Sequence, residues 1–268
     1  MESTGLELLL NACEGVVQIV VTKGERVLAV QEWHLPKQGA EILAPALEGI
    51  CSGLGIKAAD FRRIGCFRGP GSFTGIRLVL STASALRRTG IARLAALDYM
   101  QALATSISLR RGLLFGAPLW VVTHARRDLV HCQPFVSYGT KIPAQPLRAV
   151  ELMPPASVLA QLAETPGHVC GSGLARHPEL FAAERTGRGP AGAPDAAVMP
   201  ELVNPDVSAL CLLGRHGDYF PKDVEPLYVR PCDAVENLPD LAARQGLDGG
   251  DAVCALDAML RSEPESAL

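Results

Sequence analysis

Nine consecutive residues, Gly69-Pro70-Gly71-Ser72-Phe73-Thr74-Gly75-Ile76-Arg77, are the part of this 268-residue chain whose types and spacing could do chemistry. They lie between an apolar stretch, 64–68, and a segment of helical periodicity, so their backbone N–H groups could form an anion-binding turn at a helix N-terminus. No Lys stands where a GxxxxGK[ST] loop needs one to hold terminal phosphates. The same residues also read as a tight turn, with Gly71 supplying unusual backbone angles and Ser72 or Thr74 capping the next helix.

Elsewhere the chain offers little for a reaction. Its histidines, at 34, 124, 131, 168, 177 and 216, never stand four apart, so an HExxH ligand pair is missing. Gly171-Ser172-Gly173 falls short of a GxSxG elbow. The eight cysteines include no CxxC pair and sit mostly in apolar stretches, which suits small buried hydrophobes rather than metal or redox ligands. No catalytic or metal-ligating residue is assigned, and no cofactor is expected.

The elements that would position the glycine segment occur twice. Apolar stretches 6–10, 16–21 and 27–33 read as a three-stranded meander. A helix over 42–54 tolerates Pro45 in or near its first turn, and a strand at 64–68 and a helix at 74–88 follow. Strands at 119–123, 129–136 and 147–152, a helix at 155–164 and a strand at 168–170 then repeat the pattern. Residues 187–194 read as a loop, 207–213 as a helix packing back on the first unit, and 251–261 as a helix in a tail. The expected fold class is α/β: two tandem ribonuclease-H-like domains of the actin-like ATPase superfamily, each a mixed sheet flanked by helices. The expected division is 1–110, completed by a helix near 205–215; then 111–204 with 216–230; then an extension, 231–268.

The net charge of -3 conceals two opposed halves. Residues 1–150 carry 17 Lys+Arg against 10 Asp+Glu, and residues 151–268 carry 8 against 18. Two Lys+Arg against eight carboxylates put much of the acidic excess in 231–268. No apolar run approaches the roughly 18–20 residues a bilayer requires, so no membrane partner is expected. The start, Met1-Glu2-Ser3-Thr4, lacks a basic, apolar leader, and a cytoplasmic location is expected.

The segment Gly69–Arg77, followed by a helix and the strand-like stretch 92–97, resembles the signature of the TsaB (YeaZ) family. Ala40-Glu41, His124-Ala125-Arg126 and Glu225-Pro226-Leu227-Tyr228-Val229-Arg230 agree with it in order and spacing, the last as a closing strand. The resemblance covers about residues 6–239 and implies a non-catalytic scaffold. Its partners would be a TsaD-like subunit that transfers threonylcarbamoyl to the adenosine beside the anticodon of tRNA, and a TsaE-like ATPase. The resemblance further implies a possible homodimer when the protein is alone, and contact with tRNA only indirectly, through the complex. Three positions depart from the family: Asn11 replaces an acid of the first hairpin that would hold hydrated magnesium in an ATPase of this superfamily, Gly39 replaces a His, and His124 replaces an Asp. Asn carries no charge, which argues against nucleotide hydrolysis.

Helical geometry points to docking independently. At 100° per residue, the apolar residues of the second helix cover about 220° and those of the first about 200°, where one sheet needs little more than about 100°. Either the helices cover each other and a wider core, or they face a partner. The partner-binding residues expected are Ile42, Leu43, Ala46, Leu47, Ile50 and Leu54 on the first helix. On the second they are Gly71, Ser72, Phe73, Thr74, Gly75, Ile76, Arg77, Val79, Leu80 and Ala83. Ile76 and Leu80 changed together to Glu are expected to break association without unfolding the subunit.

Three other functions stay open: an ATPase or phosphotransferase of the same fold using Ser72 and Thr74, a diverged paralogue acting as an interaction protein, and a direct tRNA-binding module. The last would use Arg87, Arg88, Arg93, Arg110, Arg111, Arg126 and Arg127. Because aromatic and basic residues do not interleave along the chain, phosphate contacts within a complex fit better than a self-sufficient RNA surface.

Overall fold

The first two strands, β1 (Leu6–Asn11) and β2 (Val17–Lys23), are buried on both faces, and this places them in the middle of a sheet rather than at its edge. The computed structural model describes residues 5–34, 39–126, 128–178, 198–229 and 237–261. Met1–Val229 and Arg230–Leu268 are separate units.

In the first unit, β3 (Arg26–Trp33), β4 (Phe61–Phe67) and β5 (Arg93–Leu97) complete a five-stranded sheet of order β3-β2-β1-β4-β5. The three meander strands pair antiparallel, whereas β4 joins β1 and β5 joins β4 in parallel. The second sheet contains β6 (Pro118–Arg126), β7 (Leu129–Val136), β8 (Gln145–Pro146), β9 (Glu151–Met153), β10 (His168–Cys170) and β11 (Val198–Met199). Its order, β11-β10-β6-β7-β8 with β9 also on β7, reproduces the first sheet read from the other edge. The fold is a tandem pair of ribonuclease-H-like, mixed sheets flanked by helices.

Helices α1 (Gly39–Leu54) and α2 (Phe73–Thr89) cover one face of the first sheet, where Leu43, Leu47, Ile50, Val79 and Ala83 pack on Leu8, Leu10, Ile19 and Ile64. Helices α3 (Tyr99–Arg111) and α6 (Val207–His216) lie in the core between the sheets. α4 (Pro155–Glu164) covers the far face of the second sheet, and α5 (Ser172–Arg176) packs on β6. In the second unit, α7 (Leu238–Arg244) packs against α8 (Gly249–Arg261), which contains the tail helix expected near 251–261.

Four expectations need correction. Of the strand expected at 147–152 only 151–152 is strand, within β9, while β8 ends before it; the two pair with different parts of β7. Residues 225–229 are not a strand and instead run in irregular backbone, tied by the Leu227 N–H to the Arg68 carbonyl at 2.8 Å. α3 was not anticipated: it is buried from Tyr99 to Ser108 except at Gln101, so it shows no amphipathic stripe. Six cysteines are buried as expected, but Cys254 is exposed. The loop at 187–194, Arg230 and Cys232 lie outside the described residues. Among those residues, no helix is long and apolar enough to cross a membrane, and no group of His, Cys, Asp or Glu is placed to hold a metal.

Candidate functional site

The glycine segment joins β4 to α2, and its first peptide, Gly69-Pro70, is cis. Ser72 caps α2, its hydroxyl accepting from the Gly75 N–H at 3.3 Å. The turn between β1 and β2 closes over this helix start. The Ser72 N–H donates to the Cys13 carbonyl at 2.7 Å. A Cβ on Gly71 would lie 2.2 Å from the Cys13 carbonyl oxygen, and one on Gly75 only 1.9 Å from that of Ala12. These glycines therefore permit two backbones to touch, and the hairpin's own carbonyls stand where an anion would. The space left between the hairpin and the starts of α1 and α2 is about 40 Å³, lined in part by Ala12, Gly39, Ser72, Thr74 and Gly75. That is room for a few waters, far below the several hundred Å³ of a small-molecule site.

Asn11, where the superfamily places an acid, is buried and its side chain is used structurally. Its amide donates to Gln18 Oε1 at 2.7 Å, and its oxygen accepts from the Cys13 N–H at 3.1 Å. Gly39, where the family has a His, is wedged between Val17 and Leu78: a Cβ there would approach them at 3.3 and 3.4 Å. His124 sits near the end of β6 and its N–H donates to the Ser172 hydroxyl at 2.8 Å. That hydroxyl donates in turn to Glu14 in the first hairpin. Burial pushes the Glu14 carboxyl up to about 7, although Ser172 and Arg176 oppose the shift.

Of the expected docking residues, Leu43, Ala46, Leu47, Ile50, Ile76, Val79 and Ala83 are buried within the subunit. Ile42, Leu54, Gly71, Phe73, Gly75 and Leu80 are half-buried, whereas Ser72, Thr74 and Arg77 are exposed. Much of the surplus apolar arc is thus absorbed by the sheet and by α1 packing against α2. Ile76, fully enclosed in the core between the sheets, cannot report on docking, because Glu there would disrupt the fold. The exposed face of α1 consists instead of Ala40, Glu41, Ala44, Pro45, Glu48, Gly49, Ser52 and Gly53.

The segment 220–229 lies along α2. The Tyr228 ring stacks on Phe73 with centroids 4.5 Å apart and its hydroxyl accepts from Arg77 at 3.1 Å, while Asp223 pairs with Arg87 and Arg88. Sequence reasoning anticipated no such cover, since nothing in residues 220–229 marks a partner over a hundred positions away. Arg110 is likewise committed, to Asp206. Arg93 and Arg111 are exposed, Arg126 ends β6, and Arg127 lies outside the described residues. A larger cavity of about 610 Å³, beside Leu94, Leu97, Leu213 and Phe220, is lined by none of the expected site residues.

Residues 35–165, a stretch that contains α1 through α4, match the family model for TsaD, the tRNA N6-adenosine threonylcarbamoyltransferase. Two solved structures from Pseudomonas aeruginosa share the fold. One, an uncharacterized protein with similarity to peptidase YeaZ, is 19% identical with a TM-score of 0.68, covering 84% of this chain and 100% of its own. The other, YeaZ, is 18% identical with a TM-score of 0.65, covering 84% and 99% respectively. Residues 35–165 are thus similar in sequence to TsaD, and the chain shares its fold with YeaZ. No curated protein sequence matches the chain. The fold expected from the TsaB (YeaZ) resemblance is thus met by YeaZ itself, while the sequence match is to TsaD.

Proposed function

We propose that the chain is a non-catalytic scaffold in tRNA threonylcarbamoyl modification, a role to which the TsaD-family match and the YeaZ-like fold both lend support. It binds a TsaD-like subunit through α1 and the start of α2, in a complex that includes a TsaE-like ATPase and transfers threonylcarbamoyl to the adenosine beside the anticodon. When alone it pairs with a second copy through the same helices. The docking domain is 1–110, completed by the helix near 205–215, followed by the second domain, 111–204 with 216–230, and the acidic extension, 231–268.

The observation that carries the non-catalytic reading is the hairpin closure. Ala12 and Cys13 carbonyls press against Gly75 and Gly71, leaving only about 40 Å³, and the Asn11 side-chain nitrogen and oxygen are each held in a hydrogen bond. An ATPase needs room for a triphosphate and an acid to hold hydrated magnesium. The docking reading is supported by the small residues along the exposed face of α1, which let another helix approach closely.

The test is a pull-down with the organism's own TsaD and TsaE, coupled to a threonylcarbamoyl-transfer assay. Transfer should require this chain. Ala44→Arg with Arg77→Glu, at two exposed positions, should abolish co-purification while the circular dichroism spectrum is unchanged. Full transfer without the chain, or undiminished co-purification of the double variant, overturns the reading.

A further inference from the structure

Two loops on either side of the β6–β7 pair hold large apolar side chains in solvent. Leu114 is 80% exposed, Phe115 74% and Tyr138 40%, and the two rings meet edge-on with centroids 4.9 Å apart. Isolated exposed apolar residues are ordinary, but these loops are built to present theirs. The Gly116 N–H donates to the Ser137 carbonyl at 3.0 Å, and the Ser137 N–H to the Ala117 carbonyl at 2.9 Å. The buried Ser108 and Ser137 hydroxyls share a hydrogen bond of 2.7 Å, and Ser137 Oγ accepts from the Gly139 N–H at 3.1 Å. Gly112, Gly116 and Gly139 adopt φ of 59°, 88° and 86° with open space beside each, so turn geometry rather than packing calls for glycine. Fixing two loops this firmly buries none of the side chains at their tips.

The charges that these two loops themselves carry are of one sign. Segments 108–117 and 137–142 contain Arg110, Arg111 and Lys141 and no acid. Asp206 takes up Arg110 through two bonds of 2.6 Å, whereas Arg111 and Lys141 are exposed. His216 faces the Lys141 carbonyl at 3.2 Å. Exposed rings on loops that also carry free-standing cations four positions before Phe115 and three after Tyr138 match a ligand in which flat bases alternate with phosphates. An apolar protein face would match the rings and leave the cations unused.

We propose that this surface binds single-stranded RNA, with Phe115 and Tyr138 stacking on unpaired bases and Arg111 and Lys141 contacting flanking phosphates. The choice of RNA over DNA rests on the function proposed above; the presence of a stacking site does not.

The experiment is a fluorescence-anisotropy titration of the full chain with labelled oligouridylate of roughly twelve nucleotides, within the length one such platform engages. It is run at about 50 mM and about 200 mM salt, where affinity should fall steeply between the two. Phe115→Ala with Tyr138→Ala should weaken binding by about tenfold or more, and Phe115→Trp should preserve it. Arg111→Ala or Lys141→Ala should lower the salt slope by about one. Absence of binding at the lower salt, or binding indifferent to the aromatic changes, overturns the proposal. So does a self-association that Phe115→Ala abolishes, which would make this face a contact between copies. Oligothymidylate bound equally well overturns the choice of RNA alone. The Phe115→Trp and lysine variants keep the question decidable if the double alanine variant misfolds. No TsaD is present, so failure here is distinct from failure in the transfer assay.

Discussion

Ser172 donates its hydroxyl to Glu14 at 2.8 Å across 158 positions of sequence, joining the first hairpin to the start of α5. The bond holds together two elements that neither sheet's own ladder connects. Burial at this junction makes ionisation of the carboxyl oppose folding, and the bond from Ser172 offsets part of that.

Burial raises the Glu14 carboxyl from its usual 4.5 to about 7. Between those values the folded protein holds a proton that the unfolded chain releases, so stability falls as pH rises through this window and levels off above it. The loss amounts to at most about 3 kcal/mol. Glu14→Gln, which can still accept from Ser172, should be more stable than the parent at pH 8 and nearly equal to it below about pH 4.5. Urea denaturation at both pH values checks this, and an advantage independent of pH would refute it.

Glycine substitutions should separate close backbone contact from mere helix content. Gly75→Ala drives a methyl into the Ala12 carbonyl and should cost about 3 kcal/mol or more. Gly49→Ala, at an exposed α1 position with nothing within 4 Å, should instead stabilise by about 0.5–1 kcal/mol. Thermal melts of the two variants should move in opposite directions.

Arg63 anchors a buried network at the edge of the first core. Its guanidinium reaches Glu7 at 2.8 Å and the Gly214 carbonyl at 2.7 Å and lies 4.1 Å from the Tyr219 ring centroid. Glu7 also accepts from Thr22 and from Tyr219. Arg63→Leu strands the Glu7 carboxylate and should cost about 3–5 kcal/mol. Adding Glu7→Gln to that variant should recover part of the loss, because the remaining partners can still bond a neutral amide. A double variant no more stable than Arg63→Leu would show that the charge is not what matters.

The meander strands, α1, α2 and the second sheet's first two strands were legible because their periodicity reflects how each is half or wholly buried. α3 was not, because burial on nearly every side erases the stripe by which a helix is recognised. The glycines of the site were visible, but their reason was not: Ala12 and Cys13 act through main-chain oxygen, which has no residue-type signature. Phe115 and Tyr138 escaped for a related reason. Two whole strands separate them, so no interleaving of aromatic and basic residues appears along the chain.

The hairpin that fills the start of α2 does so with carbonyl groups, which every residue possesses. No single side-chain replacement at position 12 or 13 can remove them. Reopening the space requires a change in hairpin length or path, an insertion or deletion rather than a point mutation. Side chains at these two positions can therefore change freely while the closure itself persists.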